Sequence, residues 1–209
     1  MKINEIFYSI QGEGKWIGLP NIFIRTTGCN LRCAFCDTKY AYEDGEDLSI
    51  KDILKKISKY KCRYVCITGG EPLLQKDILK LIKNLMNKDY FVIIETNGSI
   101  SIKKIIRIKN LFISLDVKCP SSKMDKENKL ENIKLLRDND QIKFIIKDKK
   151  DYNYSKNIIN RYKPTCDIFI QPVWGENPKK IANWIVADRL NVKFSLQLHK
   201  IIWGQKRRV

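Results

Sequence analysis

The sequence of 209 residues contains a single histidine, His199, and no apolar run near the roughly 20 residues that a membrane-spanning helix needs. Residues 1–5 lack the apolar segment of a secretory signal peptide, so we expect a cytoplasmic protein without a membrane partner. No low-complexity linker or repeat divides the chain. Because 44% of the residues are hydrophobic, the composition excludes a disordered chain and predicts a single domain over residues 1–209.

Acidic residues and arginines are also few. The 23 Asp and Glu stand against 40 Lys and Arg, which gives a net charge of +17 at pH 7. The basic residues are scattered and form no stripe interleaved with aromatics, so we expect no direct nucleic-acid partner. We interpret the charge as lysines on solvated helix faces, with attraction of anionic ligands or RNA as the alternative.

Cysteine is present in an odd number, seven. In a reducing compartment such cysteines are thiols or metal ligands rather than disulfides. The pair Cys62 and Cys66 falls on or beside an apolar run and is interpreted as core. No role is predicted for Cys119 or Cys166.

Short apolar runs alternate with amphipathic stretches along the chain. Alternation of this kind predicts a parallel sheet with crossover helices, and six or seven strands are too few for a closed eight-stranded barrel. The predicted fold is therefore a single-domain α/β protein with a partial, open parallel β/α barrel. The predicted strands are Asn21–Arg25, Tyr64–Thr68, Tyr90–Ile94, Leu111–Leu115, Gln141–Ile146, Asp167–Gln171 and Val192–Leu196, and the predicted helices lie near 50–57, 78–86 and 181–185.

A loop near residues 28–38 carries three cysteines, Cys29, Cys33 and Cys36, at spacings of four and three. Three thiolates can hold three irons of a 4Fe-4S cluster and leave the fourth open to a small molecule, whereas four ligands would saturate a cluster or a zinc site. The alternative is a zinc site completed by another residue such as His199. The rest of the chain favours the cluster.

The cysteine spacing, with Phe35 before the last cysteine, resembles the signature of radical S-adenosylmethionine enzymes. The run 68–72, Thr-Gly-Gly-Glu-Pro, resembles the motif with which the same superfamily receives the methionine amino group. The resemblance implies that the open iron binds S-adenosylmethionine and that one electron cleaves it to a 5′-deoxyadenosyl radical. It also implies an electron donor such as a flavodoxin or ferredoxin.

Further motifs resemble the 7-carboxy-7-deazaguanine synthase family: the segments 7–14, 23–25, 36–38, 95–98 and 196–200. This resemblance implies conversion of 6-carboxy-5,6,7,8-tetrahydropterin to 7-carboxy-7-deazaguanine, a carbon–nitrogen lyase reaction with loss of ammonia. The implied radical takes hydrogen from substrate C6, S-adenosylmethionine is regenerated and Mg²⁺ assists. The product would feed queuosine or archaeosine of tRNA, and the enzyme would be a homodimer.

The resemblance also implies site residues. The amide, carboxylate and backbone groups of the N-terminal block suit a purine-like ring edge, and Arg25 suits a substrate carboxylate. Thr38 aligns with a magnesium ligand, and Asp116 stands where many relatives have Ser. The predicted substrate residues are Ile10, Gln11, Gly12, Glu13, Arg25, Thr68, Gln197, His199 and Lys200, and the predicted S-adenosylmethionine residues are Phe35, Cys36, Asp37, Gly70, Glu95, Asp116, Val117 and Lys118.

A tail near residues 197–209 is predicted to fold over the open end of the barrel, with Gln197 and His199 on one face after the last strand. A frayed basic end is the alternative. Two other functions remain open at this point. One is a radical activase that installs a glycyl radical on a protein, and the other is a zinc-bearing RNA-binding module.

Overall fold

The computed structural model describes residues 1–209, and its centre is one nine-stranded sheet. The strands run in the spatial order β3-β1-β2-β4-β5-β6-β7-β8-β9. Strand β2 and strands β4 to β9, seven in all, are parallel to one another. Strand β1 is antiparallel to both of its neighbours. The strands are β1 Lys2–Ile10, β2 Pro20–Thr26, β3 Glu46–Asp47, β4 Tyr64–Gly69, β5 Phe91–Thr96, β6 Leu111–Val117, β7 Gln141–Ile146, β8 Asp167–Pro172 and β9 Lys193–Phe194.

The helices cover the outer face of the sheet. Isoleucines and valines that point outward from the strands pack under them in a core cluster of 31 buried residues. Helix α1 shows how local sequence sets a boundary, since the Ser49 hydroxyl accepts a hydrogen bond from the backbone N–H of Asp52 (3.1 Å) and the Asp52 carboxylate accepts one from that of Ser49 (3.2 Å). The helices are α1 Ile50–Ile57, α2 Ile78–Met86, α3 Lys149–Tyr162, α4 Pro178–Ala187 and α5 Leu198–Trp203.

The predicted open barrel is confirmed, because the edge strands β3 and β9 do not pair with each other. All seven predicted strands exist, although the last shrinks from Val192–Leu196 to Lys193–Phe194. Four elements were not predicted: β1, β3, α3 and α5. Helix α3 was not predicted because its buried side includes Asp151 and Ser155, so that its apolar periodicity is weak.

The inner face of the sheet is divided along the strand direction. Near the amino ends of the parallel strands, Trp16, Phe23, Cys66 and Ile93 form a second, small cluster, against which Phe7, Tyr64 and Phe112 pack. Near the carboxyl ends the inner face is polar and opens to a cleft. No helix of the structure is long and apolar enough to cross a membrane.

Candidate active site

A cleft of about 650 Å³ opens where the parallel strands end. All but one of the residues predicted for the cluster, S-adenosylmethionine, the substrate and Mg²⁺ line this cleft. The exception is Val117, whose side chain is buried in the core on the other face of β6. Side chains alternate along a strand, so Asp116 enters the cleft and its neighbour cannot. S-adenosylmethionine in this cleft could therefore contact Val117 only through its backbone, and the predicted contact stays a prediction.

The cysteine loop follows β2 and is held by backbone hydrogen bonds on several sides. The Gly28 N–H donates to the Ala41 carbonyl (2.9 Å), and the Ala34 N–H donates to the Ser122 carbonyl (3.0 Å). Leu31 is buried beneath the loop. Burial raises the pKa of the Cys33 thiol, and the Lys118 ammonium works against that rise.

The donor set of this loop fits a cluster better than zinc. Cys29, Cys33 and Cys36 are free thiols, partly exposed, and all three line the cleft. No three His, Cys, Asp or Glu side chains converge closely enough to hold one single metal ion. A tetrahedral zinc site needs ligands that converge on one ion, whereas a cluster takes each thiolate on a different iron. The zinc alternative therefore lacks its ligand set.

The four cysteines outside the loop have structural surroundings. Cys66, Cys119 and Cys166 are buried, and Cys62 is half-buried with its thiol 3.3 Å from the Pro20 carbonyl oxygen.

The Gly-Gly-Glu segment after β4 lies against the cysteine loop. A Cβ on Gly70 would lie 2.1 Å from the Gly28 carbonyl oxygen, so only glycine fits there. Glu71 is fully buried and accepts hydrogen bonds from Thr96 Oγ1 (2.8 Å) and the Asn97 N–H (2.6 Å). The segment thus joins the end of β4 to the end of β5, and Glu71 acts as a tie between them.

Charged side chains from three strand ends meet on the floor of the cleft. The Lys118 ammonium lies 2.8 Å from Asp116 Oδ2, and the Lys143 ammonium lies 3.4 Å from Asp116 Oδ1 and 2.5 Å from Glu13 Oε2. Burial would raise the pKa of Glu13, but the Lys143 charge holds it well below its usual range. Asp116 Oδ1 is buried and accepts no hydrogen bond, so its partner is the Lys143 ammonium in an ion pair.

Sequence reasoning missed Lys143. The signal was a lysine inside the apolar run of β7, at a position where alternation points the side chain to the inner face. A charged residue there needs a buried partner, which Glu13 and Asp116 provide.

The N-terminal block reaches the cleft as the turn after β1. Gly12 packs against His199 so closely that a Cβ would lie 2.0 Å from the imidazole Nδ1. The Gln11 amide donates to Glu95 Oε1 (3.3 Å), and the Thr68 hydroxyl donates to Glu95 Oε2 (2.8 Å). These three side chains form one hydrogen-bonded row across the ends of three elements.

Arg25 lies at the end of β2. Its Nε donates to Glu5 Oε1 (2.8 Å), and the structure gives its two terminal nitrogens no protein acceptor. Glu5 was also missed by sequence reasoning, because β1 was not predicted and its inner face was therefore unknown.

The tail lies along the cleft, but its backbone differs from the expectation. Gln197 precedes helix α5 rather than extending a strand, and the Leu198 N–H donates to the Gly12 carbonyl (3.0 Å). Three side chains of this first turn still face the cleft. Gln197 Nε2 donates to Glu13 Oε1 (2.7 Å), His199 covers Gly12, and Lys200 pairs with Asp37. Burial lowers the pKa of His199, and Glu13 opposes that shift.

The sequence matches known proteins over most of its length. The sequence profile of the radical SAM superfamily matches residues 23–166. The 7-carboxy-7-deazaguanine synthase of Thermoplasma acidophilum is 42% identical over 204 residues, which cover 98% of each chain. That of Methanospirillum hungatei is 41% identical and covers 97% of this chain and 85% of the relative. The chain belongs to the 7-carboxy-7-deazaguanine synthase family.

Solved structures agree with membership of the 7-carboxy-7-deazaguanine synthase family. The crystal structure of QueE from Escherichia coli matches with a TM-score of 0.79 and 27% identity, over 95% of this chain and 94% of that one. Streptococcus suis SuiB bound to S-adenosylmethionine matches with a TM-score of 0.59 and 18% identity, over 80% of this chain and 48% of that one, which shows the fold alone. The chain is a radical SAM enzyme whose superfamily uses a 4Fe-4S cluster and S-adenosylmethionine. The comparisons favour neither the activase nor the RNA-binding module.

Proposed function

We propose that this enzyme converts 6-carboxy-5,6,7,8-tetrahydropterin to 7-carboxy-7-deazaguanine with loss of ammonia, as a carbon–nitrogen lyase. The product would supply the 7-deazapurine nucleosides of tRNA. The observation that carries the proposal is the cleft itself. The N-terminal block, Arg25 and the three-cysteine loop, all predicted from family motifs, line one cavity in a chain that is 42% identical over nearly its full length to a named synthase.

The row of Gln11, Glu95 and Thr68 suits the polar edge of a bicyclic pterin, although the sequence alone had assigned Glu95 to S-adenosylmethionine. Each carboxylate oxygen of Glu95 already accepts one hydrogen bond, from Gln11 and from Thr68, which fixes its orientation. Free lone pairs on Glu95 can then accept from ring N–H groups, and the Gln11 amide fixes the register of the ring.

Glu13 and His199 line the cleft close to each other. Glu13 stays ionised because Lys143 and Gln197 hold its two oxygens. His199, with a lowered pKa, is neutral near pH 7 and offers one donor and one acceptor. His199 can therefore bind neutral ring groups, and the Glu13 carboxylate can bind a ring nitrogen that gains or loses a proton.

Arg25 suits the substrate carboxylate. The guanidinium is mostly buried, its Nε is occupied by Glu5, and its two terminal nitrogens remain for a bidentate pair. A carboxylate held at that fork would fix one end of the pterin.

Cys29, Cys33 and Cys36 would hold the cluster, and Gly70, Asp116 and Lys118 would contact S-adenosylmethionine. When bound together, the two groups supply a carbon radical able to take a hydrogen atom from a C–H bond. The chain's own contribution would be to orient the substrate C–H and to exclude water with the tail residues that line the cleft.

Three finer features belong to the same proposal. Thr38 would bind Mg²⁺ together with water and substrate oxygens, since a single hydroxyl is a poor site alone. A flavodoxin or ferredoxin would supply the electron. The enzyme would act as a homodimer.

The test is an anaerobic assay of the reconstituted protein with reductant, S-adenosylmethionine and the carboxylated tetrahydropterin. We expect 7-carboxy-7-deazaguanine and one ammonia per turnover, with no net loss of S-adenosylmethionine. Cleavage of S-adenosylmethionine without 7-carboxy-7-deazaguanine would leave a radical SAM enzyme of another specificity and would refute the proposed substrate.

A further inference from the structure

Glu5, on β1, is a buried carboxylate surrounded by arginines from distant parts of the chain. Its side chain is 1% exposed. Oε1 accepts from Arg25 Nε (2.8 Å) and from the Tyr40 hydroxyl (3.2 Å). Oε2 accepts from Arg208 Nε (3.1 Å) and from an Arg207 terminal nitrogen (3.3 Å). One acid therefore touches the predicted carboxylate-binding arginine and the end of the tail.

The charges of this cluster do not balance. Three guanidinium groups face the Glu5 carboxylate, and Tyr40, whose ring centroid lies 3.6 Å from the Arg207 guanidinium, adds no charge. Burial would raise the pKa of Glu5, but Arg25, Arg208 and Arg207 together lower it, so Glu5 is ionised. The Glu95 charge also acts on Arg25, so three cations stand against two acids. The terminal nitrogens of Arg25 have no protein acceptor and remain for a further anion.

We propose that Glu5 is a positioning residue that orients the Arg25 fork toward the substrate carboxylate and, through its second oxygen, anchors Arg207 and Arg208 so that the tail covers the cleft. This inference rests on the proposed function for the identity of the carboxylate. It adds that closing the tail and binding the carboxylate are coupled through one buried acid. A carboxylate bound at the Arg25 fork would add negative charge beside this cluster of arginines and hold the closed tail more tightly.

The first experiment measures the tail directly, without cofactors. Hydrogen–deuterium exchange of the peptide covering residues 200–209 is compared for the wild type and Glu5→Gln. Because a hydrogen bond to a charged group is lost at the anchor, we expect roughly tenfold faster exchange in the variant. Glu46→Gln is the matched control, since Glu46 is an exposed acid whose ion pair is with Lys56 rather than with the tail, and the tail of this variant should exchange as in the wild type.

Unchanged exchange of the tail in Glu5→Gln would overturn the anchoring role. If Glu5→Gln does not fold, the Arg207→Ala/Arg208→Ala double variant replaces it, because those residues lie outside the sheet. The double variant should release the tail as well, with exposed Arg107→Ala as its control. A double variant whose tail exchanges as in the wild type would also overturn the anchoring role.

The second experiment separates positioning from structure by kinetics. Glu5→Gln should raise the KM for the carboxylated tetrahydropterin about tenfold and change kcat less, because the carboxylate contact is disordered rather than the reacting centre. In the Arg25→Lys background, Glu5→Gln should add little further increase in KM, since both act on one contact. Independent, additive effects would refute the positioning role.

Added substrate then distinguishes this inference from the proposed function. The carboxylated tetrahydropterin should slow exchange of the wild-type tail, and tetrahydropterin without the carboxylate should not. If the wild type makes no 7-carboxy-7-deazaguanine yet Glu5→Gln frees the tail, the anchor stands and the proposed substrate falls. If the wild type makes the product and neither pterin alters the tail, the coupling falls and the proposed function stands.

Discussion

The two ends of the barrel interior are built from the same strands but have opposite chemistry. At the amino end the inner positions are mostly apolar and form a packed plug. Toward the carboxyl end of each strand, two residues after the plug residue, or four residues after it on β6, the same strands present polar or charged groups to the cleft. The pairs, plug residue first, are Phe23 and Arg25 on β2, Cys66 and Thr68 on β4, Ile93 and Glu95 on β5, and Phe112 and Asp116 on β6.

The difference teaches how the fold supports buried charge. The plug and the helix-covered core fix the strands, and the strand ends then hold charged side chains at set distances from one another. Glu13, Lys143 and Asp116 form an alternating series in which each charge has a partner. Substitutions at the plug should therefore change stability, and substitutions at the cleft should change chemistry.

The largest contrast is expected between two cysteines. Cys33→Ala should abolish S-adenosylmethionine cleavage, because the third cluster ligand is lost. Cys66→Ala, in the plug, should retain cleavage and lose about 1 kcal/mol of unfolding free energy. Iron content, visible absorbance and 5′-deoxyadenosine formation measure the first effect, and urea denaturation measures the second. Full cleavage activity in Cys33→Ala would remove the cysteine loop from the cluster.

The next contrast concerns Lys143. Lys143→Met leaves Glu13 and Asp116 buried without their shared cation, which should cost about 3 kcal/mol of unfolding free energy near pH 7. The pKa of Glu13 is lowered in the folded state, so its contribution is present above its ordinary pKa of 4.5 and fades as pH falls through the folded value. The wild-type advantage in urea denaturation should therefore shrink toward acid pH. A difference that stays constant with pH would show that Lys143 acts by packing alone.

A smaller effect is expected for the two inner residues of β2. Arg25→Lys should raise the KM for the pterin roughly tenfold, because the bidentate fork becomes a point charge. Phe23→Leu, one step down the same face at the bottom of the cleft, should lower unfolding free energy by about 1 kcal/mol and change KM far less, because its ring carries no group that could pair with a carboxylate. Steady-state kinetics on both variants decide the matter. Equal KM values for Arg25→Lys and the wild type would place the substrate carboxylate elsewhere.

The smallest effect is expected at Thr38, whose hydroxyl donates to Asp37 Oδ1 (3.0 Å). Thr38→Ala should weaken the activation of the enzyme by Mg²⁺ several-fold, since only one of its ligands is protein-derived. Cluster content should stay normal, which separates this loss from damage to the cysteine loop. A magnesium titration identical to that of the wild type would remove Thr38 from the metal site.

Sequence reasoning predicted what local patterns encode. The alternation of apolar runs predicted the seven parallel strands, and motif spacing identified residues that the fold gathers in one cleft. It missed Glu5, because the strand that carries it, β1, was not predicted. It also missed Lys143, because its partner Glu13 lies more than a hundred residues away in the sequence. It also gave Val117 the same role as its neighbour Asp116, whereas the strand sends the two side chains to opposite faces.

The contact between Gly70 and Gly28 has a practical consequence for handling the apoprotein. The Glu71 N–H donates to the Gly28 carbonyl (2.7 Å), and the Gly70 N–H donates to the Thr26 carbonyl (3.2 Å). These bonds hold the cysteine loop through backbone atoms and need no thiolate. Iron and sulfide stripped by air during purification should therefore be restorable under argon without a refolding step. The far-UV circular dichroism spectrum should be the same before and after reconstitution, and only the brown absorbance of the cluster should change.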